Sequence, residues 1–153
     1  MNFTFIVTMK AIHKMIGGFT GALALNILHQ AAARITTDAP RVDLVGEEAL
    51  NKGLQAVGAH SLQGDQLFEA TLAADIVSNS IYFSMIGNGE NKNLLARGAG
   101  IGLAAGIGAL TLTKPMGLDD SPVNKKRTTQ LMTVAWYTIG GVVAALTMKM
   151  LDK

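Results

Sequence analysis

Four long apolar stretches constrain the fold of this 153-residue chain more than any other feature. Each is about as long as the ~20 residues that an α-helix needs to cross the hydrocarbon core of a membrane. Together with their connections they use nearly the whole sequence, so there is no room for a separate soluble domain. We therefore predict a single all-α membrane domain over residues 1–153, an integral membrane four-helix bundle. The predicted spans are 11–33, 66–88, 93–114 and 129–150.

The connection between the first two spans is predicted to hold a further, amphipathic helix at about 43–58. Asp43 is a candidate N-cap, and Glu47 and Glu48 place negative charge where the dipole of a helix favours it. Leucines and a valine recur on one face, which is typical of an interfacial helix that lies on the membrane or across the mouth of a bundle. A solvated connector is the alternative interpretation.

Composition excludes several classes of function. The chain has no cysteine, which rules out disulfides, thiolate catalysis and cysteine-ligated metals. Its net charge is only +2, and its basic residues lie near the ends of the spans rather than in one block, so we expect no nucleic-acid partner. The predicted partner is the lipid bilayer, with these residues as headgroup anchors.

The location predicted from these features is a membrane, with the inner membrane of a prokaryote as the expected one. An even number of spans places both termini on the same side. The dense basic run at 125–127 favours placing the long connections in the cytoplasm, which leaves the termini outside.

Polar residues interrupt the first two spans at helical spacing. On each span they gather on one side of the helix, while large apolar residues occupy another side. Polar and ionisable residues within a membrane usually face the interior of a bundle and mark a functional site. The candidate ligand-binding residues are therefore Asn26, His29, Asp75, Ser78, Asn79 and Tyr82.

The depth of these residues predicts which of them meet. Helices joined by one connection run antiparallel and rise ~1.5 Å per residue, which places Asp75 within a turn of Asn26 and Glu69 within a turn of His29. A buried carboxylate should be protonated, hydrogen-bonded by Asn26 and Asn79, or paired with His29. The last arrangement would form a proton-transfer couple or a polar cradle. A purely structural role for Asp75, with His29 at headgroup level, is the alternative.

No catalytic residue can be assigned from the sequence, and the candidates are His29, Glu69 and Asp75. These are also acceptable types of metal ligand, but no ligand-spacing motif accompanies them. We therefore predict neither a metal nor a cofactor.

Glycines at every fourth position predict close contacts between helices. Such contacts can form within the chain or across a homo-oligomer. The candidate packing residues are Gly17, Gly21, Gly98, Gly102, Gly106 and Gly140.

Three kinds of function fit this pattern. The first is a small membrane protein whose buried polar site binds or passes a small polar solute, a proton or a lipid headgroup. The second is a membrane-embedded enzyme that acts on lipid headgroups, with His29 or Glu69 as general base and Asp75 orienting it. The third is a non-catalytic subunit that assembles with a partner through its glycine faces.

Overall fold

The computed structural model describes residues 3–88 and 93–152, and this part of the chain forms helices and no strand. The predicted all-α class is confirmed. One short helix, Ser121–Asn124, was not predicted; its proline lies in the first turn, where proline fits well. The elements are α1 (Phe3–Ile35), α2 (Val42–Ala56), α3 (Gly64–Ser84), a 3₁₀ turn (Met85–Gly87), α4 (Leu94–Thr111), α5 (Ser121–Asn124) and α6 (Arg127–Leu151).

Three of the described helices are long and apolar enough to cross a membrane. They are the segments Ala11–Ile35 of α1, Leu94–Thr111 of α4 and Arg127–Leu151 of α6. Helix α3, which covers most of the predicted second span, has 21 residues and is long enough as well. It is less apolar than the other three, because polar side chains recur along its length.

The long helices pack in the order α3, α1, α6, α4. Helix α6 has its most extensive contacts with α4 and α1, and α3 packs on the other side of α1. Neighbouring helices are antiparallel: Gly17 at the middle of α1 lies beside Met148 near the end of α6, whereas His29, further along α1, lies beside Tyr137 in the first half of α6. Helices α3 and α4 have few contacts with each other, so a gap remains between them.

Glycines allow the closest approaches between these helices. A Cβ atom placed on Gly98 would lie 2.5 Å from the carbonyl oxygen of Gly141, and one on Gly21 would lie 2.6 Å from that of Gly140. Such distances are too short for any side chain, so the backbones can meet only because glycine stands there. The glycines in these contacts include Gly17, Gly21, Gly98, Gly102, Gly106 and Gly140.

Helix α2 lies at the end of the molecule where α1 ends and α3 begins. It contacts α3 and contains no buried residue. Its predicted N-cap is wrong: Arg41 occupies that position, and Asp43 lies in the first turn. The carboxylate of Asp43 instead forms an ion pair with the Arg41 guanidinium at 2.6 Å.

Candidate functional site

A cavity of about 600 Å³ lies in the gap between α3 and α4. Helices α1 and α6 form its floor, to which they contribute Asn26, His29 and Tyr137, and α2 covers one end. The wall from α4 consists of small residues, among them Ala105 and Gly108. The cavity exists because small side chains on α4 face a polar stripe on α3, and neither fills the space.

The polar side of this cavity is organised around Asp75. One of its carboxylate oxygens accepts a hydrogen bond from the Asn26 side-chain amide at 2.8 Å, and the other accepts one from Asn79 at 2.9 Å. Each amide also donates to a backbone carbonyl, Asn26 to that of Ala22 and Asn79 to that of Asp75. These second bonds fix which atom of each amide is the nitrogen. Both oxygens of Asp75 therefore act as acceptors, and two N–H donors of this kind favour the ionised form of the carboxyl group.

The predicted pair between His29 and Asp75 is not formed, whereas the predicted amide bonds to Asp75 are. Asn26 is level with Asp75 across the antiparallel contact of α1 and α3, so its short amide reaches the carboxylate. His29 lies three residues further along α1, or ~4.5 Å, toward the end covered by α2. Its ring instead contacts Tyr137 edge to face, with centroids 5.8 Å apart.

Two buried side chains in the cavity have polar atoms without a hydrogen-bond partner among the described residues. His29 is 8% exposed and Thr71 is 5% exposed, and both line the cavity. The His29 ring interacts with the backbone of Pro40, yet neither ring nitrogen has a partner in hydrogen-bond geometry. The hydroxyl of Thr71 likewise has none. Leaving such groups unpaired costs about 1–3 kcal/mol each, so they are open positions for a bound molecule.

Ser78 and Tyr82 lie beside this polar cluster. The Ser78 hydroxyl donates to the backbone carbonyl of Asp75 at 3.1 Å. The Tyr82 hydroxyl donates to the Ile101 carbonyl of α4 at 3.2 Å, which bridges α3 and α4. All six predicted ligand-binding residues, Asn26, His29, Asp75, Ser78, Asn79 and Tyr82, line the cavity.

The candidate Glu69 does not join them. Its side chain is exposed, and it is not among the residues that line the cavity. The reason is its angle on α3, about a third of a turn away from the stripe that holds Asp75.

Two important residues of the cavity were not among the predicted site residues. Thr71 stands four residues before Asp75, and helical spacing places it on the same polar stripe of α3, although it is not among the predicted ligand-binding residues. Tyr137 lies on α6, and its proximity to His29 depends on how α1 and α6 pack.

Helix α2 is held against the rest of the molecule by polar contacts at its exposed side. Asn51 exchanges two hydrogen bonds with the backbone of Leu62 in the connection to α3. Glu48 forms an ion pair with Lys52 at 2.7 Å and accepts a hydrogen bond from the Asp119 N–H at 2.8 Å. The second contact links α2 to the loop that follows α4, so both sides of the cavity mouth are tied together.

This link should depend on pH. The contacts with Lys52 and the Asp119 N–H lower the pKa of Glu48 below its ordinary value of 4.5. Because the pKa is lowered in the folded state, the contact contributes fully above about pH 4.5 and is lost as the pH falls through the folded value. Hydrogen exchange of the Asp119 amide, corrected for its intrinsic pH dependence, should then accelerate. The Glu48→Gln variant should lack this pH response, whereas Glu47→Gln should retain it; a response that survives in Glu48→Gln would contradict the assignment.

Comparison with known proteins finds no relative of this chain. No protein-family model matches the chain, and no curated protein or solved structure matches it significantly. Conclusions about function therefore depend on the geometry of the cavity.

Proposed function

We propose that this chain is an integral membrane protein that binds an amphiphilic molecule of the bilayer, a lipid or a lipid-like small molecule, in the cavity between α3 and α4. One observation carries the proposal. The cavity is lined mainly by apolar side chains, but its unpartnered polar groups, on His29 and Thr71, lie together with Asp75 on one side. An apolar tail and a polar head would satisfy both parts of such a site.

Membrane insertion of all four long helices is supported by the side chains that point outward. Large apolar residues are exposed on every one of them, which would be unfavourable in water and is favourable in lipid. On α3 the polar stripe that includes Asp75 faces the cavity, and Val77 and Ile81 on the outside are 58% and 64% exposed. Helix α3 is thus suited to be the fourth span of the proposed bundle, although it is less apolar overall. Examples on the other helices are Phe19 and Ile27 of α1, Leu103 and Ile107 of α4, and Leu131 of α6.

The orientation that we propose places α2 on the cytoplasmic surface of a prokaryotic inner membrane. Basic residues 125–127 lie at that end of the molecule, and cytoplasmic connections are enriched in such residues. The two termini would lie outside. His13 near the start of α1 and Asp152 after α6 are 3.9 Å apart at the opposite end, in agreement with termini on one side.

The alternatives receive less support from the geometry. An enzyme would need a base held by an orienting group, but His29 forms no hydrogen bond with Asp75, and Glu69 does not line the cavity. Passage of a solute would need a path to the opposite end, where Phe83 and Leu25 are buried in the core and Tyr82 bridges to α4. Assembly through glycine faces, as a homo-oligomer or with a partner, competes with the use of those glycines inside the chain.

The proposal can be tested by a substitution that fills the cavity with a larger side chain. Gly108 lines it, and a Cβ atom at this position would meet only the tip of Leu112, at 3.6 Å. Gly108→Phe should therefore occupy the binding space without separating helices. We expect wild-type protein purified in mild detergent to retain an amphiphile that mass spectrometry detects, and Gly108→Phe to retain about tenfold less, equivalent to about 1.4 kcal/mol.

Gly100→Phe is the matched control. Gly100 lies on the same helix, has no neighbouring atom within 4 Å and does not line the cavity. The Gly100→Phe variant should retain the same amount of amphiphile as the wild type. Equal retention in all three proteins would contradict binding in the cavity, and recovery of the chain from an aqueous fraction without detergent would contradict membrane insertion.

A further inference from the structure

We infer that the amphiphile bound in this cavity carries a protonated amine as its head group. This inference rests on the proposed function and goes further, because it assigns the charge and the hydrogen-bonding type of the ligand. It is based on the charged groups and the acceptors that the cavity presents.

The first observation is a negative charge without a cation. Both oxygens of Asp75 accept from amide N–H groups, and such donors favour the carboxylate form of the side chain. Among the described residues that line the cavity, none is lysine or arginine. A second carboxylate, Asp43, lies at the mouth, where it is paired with Arg41, which does not line the cavity. A buried carboxylate is stable only with a compensating partner, and a cationic ligand would supply one.

The second observation is the set of acceptors. A protonated primary amine has three N–H donors and no acceptor. The cavity offers three matching acceptor groups: the Asp75 carboxylate, whose oxygens can each accept a further bond, the Thr71 hydroxyl oxygen and one nitrogen of a neutral His29 ring. The last two have no partner among the described residues. Binding of an ammonium group would thus satisfy polar atoms that are otherwise buried and unpaired.

The third observation is that these acceptors are neighbours. Thr71 and Asp75 are four residues apart on α3, which brings their Cβ atoms to within about 5–6 Å. Across the helix contact, Asn26 bonds to Asp75, and His29 stands one turn further along the same face of α1. The three acceptors therefore lie within about one helical turn of one another along the helix axes, a span that a small head group can cover.

The same arrangement disfavours an anionic head group. A phosphate would be brought close to the carboxylates of Asp75 and Asp43, and like charges repel strongly when they are removed from water. It would also lack the arginine or lysine donors that normally bind it. Lipids whose head group is a phosphate without an amine are therefore the wrong ligands for this cavity.

The test uses three probes with the same oleyl tail: oleylamine, oleyl alcohol and oleyl phosphate. Each would compete with a fluorescent amphiphile for the full-length protein in nanodiscs of neutral lipid, and affinities would be compared at equal measured concentrations of probe in the bilayer. Neutral lipid is used so that the surface charge of the bilayer favours none of the probes. We expect wild-type protein to bind the amine about ten- to hundredfold more tightly than the alcohol, and the phosphate most weakly. Asp75→Asn should remove the preference for the amine. Glu69→Gln, which removes a carboxylate from the same helix outside the cavity, should keep it.

Asp75→Asn would place a third side-chain amide against those of Asn26 and Asn79 and could disturb the fold, so Thr71→Val provides a second variant. It removes one unpaired hydroxyl and preserves the shape of the side chain, and amine affinity should fall about tenfold. The inference is overturned if the alcohol or the phosphate binds the wild type as tightly as the amine, or if both variants retain amine affinity. If none of the three probes competes, amphiphile binding itself fails, which is a separate result.

Discussion

Replacing Gly102 by leucine should leave little folded protein. A Cβ atom at this position would overlap the carbonyl oxygen of Tyr137 and lie 2.8 Å from the Cα atom of Thr138. Both atoms belong to the backbone of α6, so no rotamer change can relieve the clash and α4 must move away from α6. Overpacking of this kind costs about 3 kcal/mol or more. Thermal unfolding of the detergent-solubilised protein, or its yield after size-exclusion chromatography, measures the loss.

Gly100→Leu is the control for this prediction. Gly100 is two residues away on α4, and no atom lies within 4 Å of the added Cβ. Leucine favours helix more than glycine does, so this variant should be as stable as the wild type or more stable by up to about 1 kcal/mol. If Gly102→Leu unfolds at the same temperature as Gly100→Leu, the close contact between α4 and α6 is wrong.

The helices could be predicted from the sequence because their apolar residues recur over long, uninterrupted stretches. The observed helix α6, Arg127–Leu151, differs from the predicted 129–150 by only two residues at the start and one at the end. The order of packing could not be predicted in this way, since glycines occur on several helix faces. That α6 contacts both α1 and α4, while α3 and α4 remain apart, follows from the complementarity of whole surfaces.

The polar cluster was predictable to a similar extent. Helical spacing brought Asn26, Asp75 and Asn79 to one place, and hydrogen bonds join them there. The predicted pair between His29 and Asp75 was wrong. Counting residues along two helices gives the depth of a residue in the bundle only to within about a turn, or ~5.4 Å. A hydrogen bond requires atoms within about 3 Å, so depth alone cannot distinguish His29 from Asn26.

The position of α2 over one end of the cavity could not be predicted from the sequence. Its amphipathic pattern is compatible with a membrane surface, a bundle mouth or a solvated connector. The choice depends on contacts such as Gly46 against Thr71, where a Cβ atom would lie 2.8 Å from the threonine methyl group. Such contacts depend on tertiary packing and leave no periodic signal in the sequence.

Replacing Phe83 by alanine should destabilise the protein by about 3–5 kcal/mol. Phe83 is fully buried, and its ring edge fills the hollow that Gly21 and Gly140 leave where α1 and α6 meet. Alanine would create an empty space there, because the surrounding helix backbones already touch and cannot close it. Reversible unfolding in mixed micelles of mild and denaturing detergent measures the change.

Ile81→Ala, on the same helix, provides the comparison for this loss. Ile81 is 64% exposed, so its truncation should change stability by less than about 0.5 kcal/mol. Because the space left by Phe83 is lined by apolar atoms, it should remain dry and accept a small apolar molecule. Benzene should therefore stabilise Phe83→Ala but not the wild type. Equal effects of the two alanine substitutions, or no response of Phe83→Ala to benzene, would show that α3 does not insert this ring between α1 and α6.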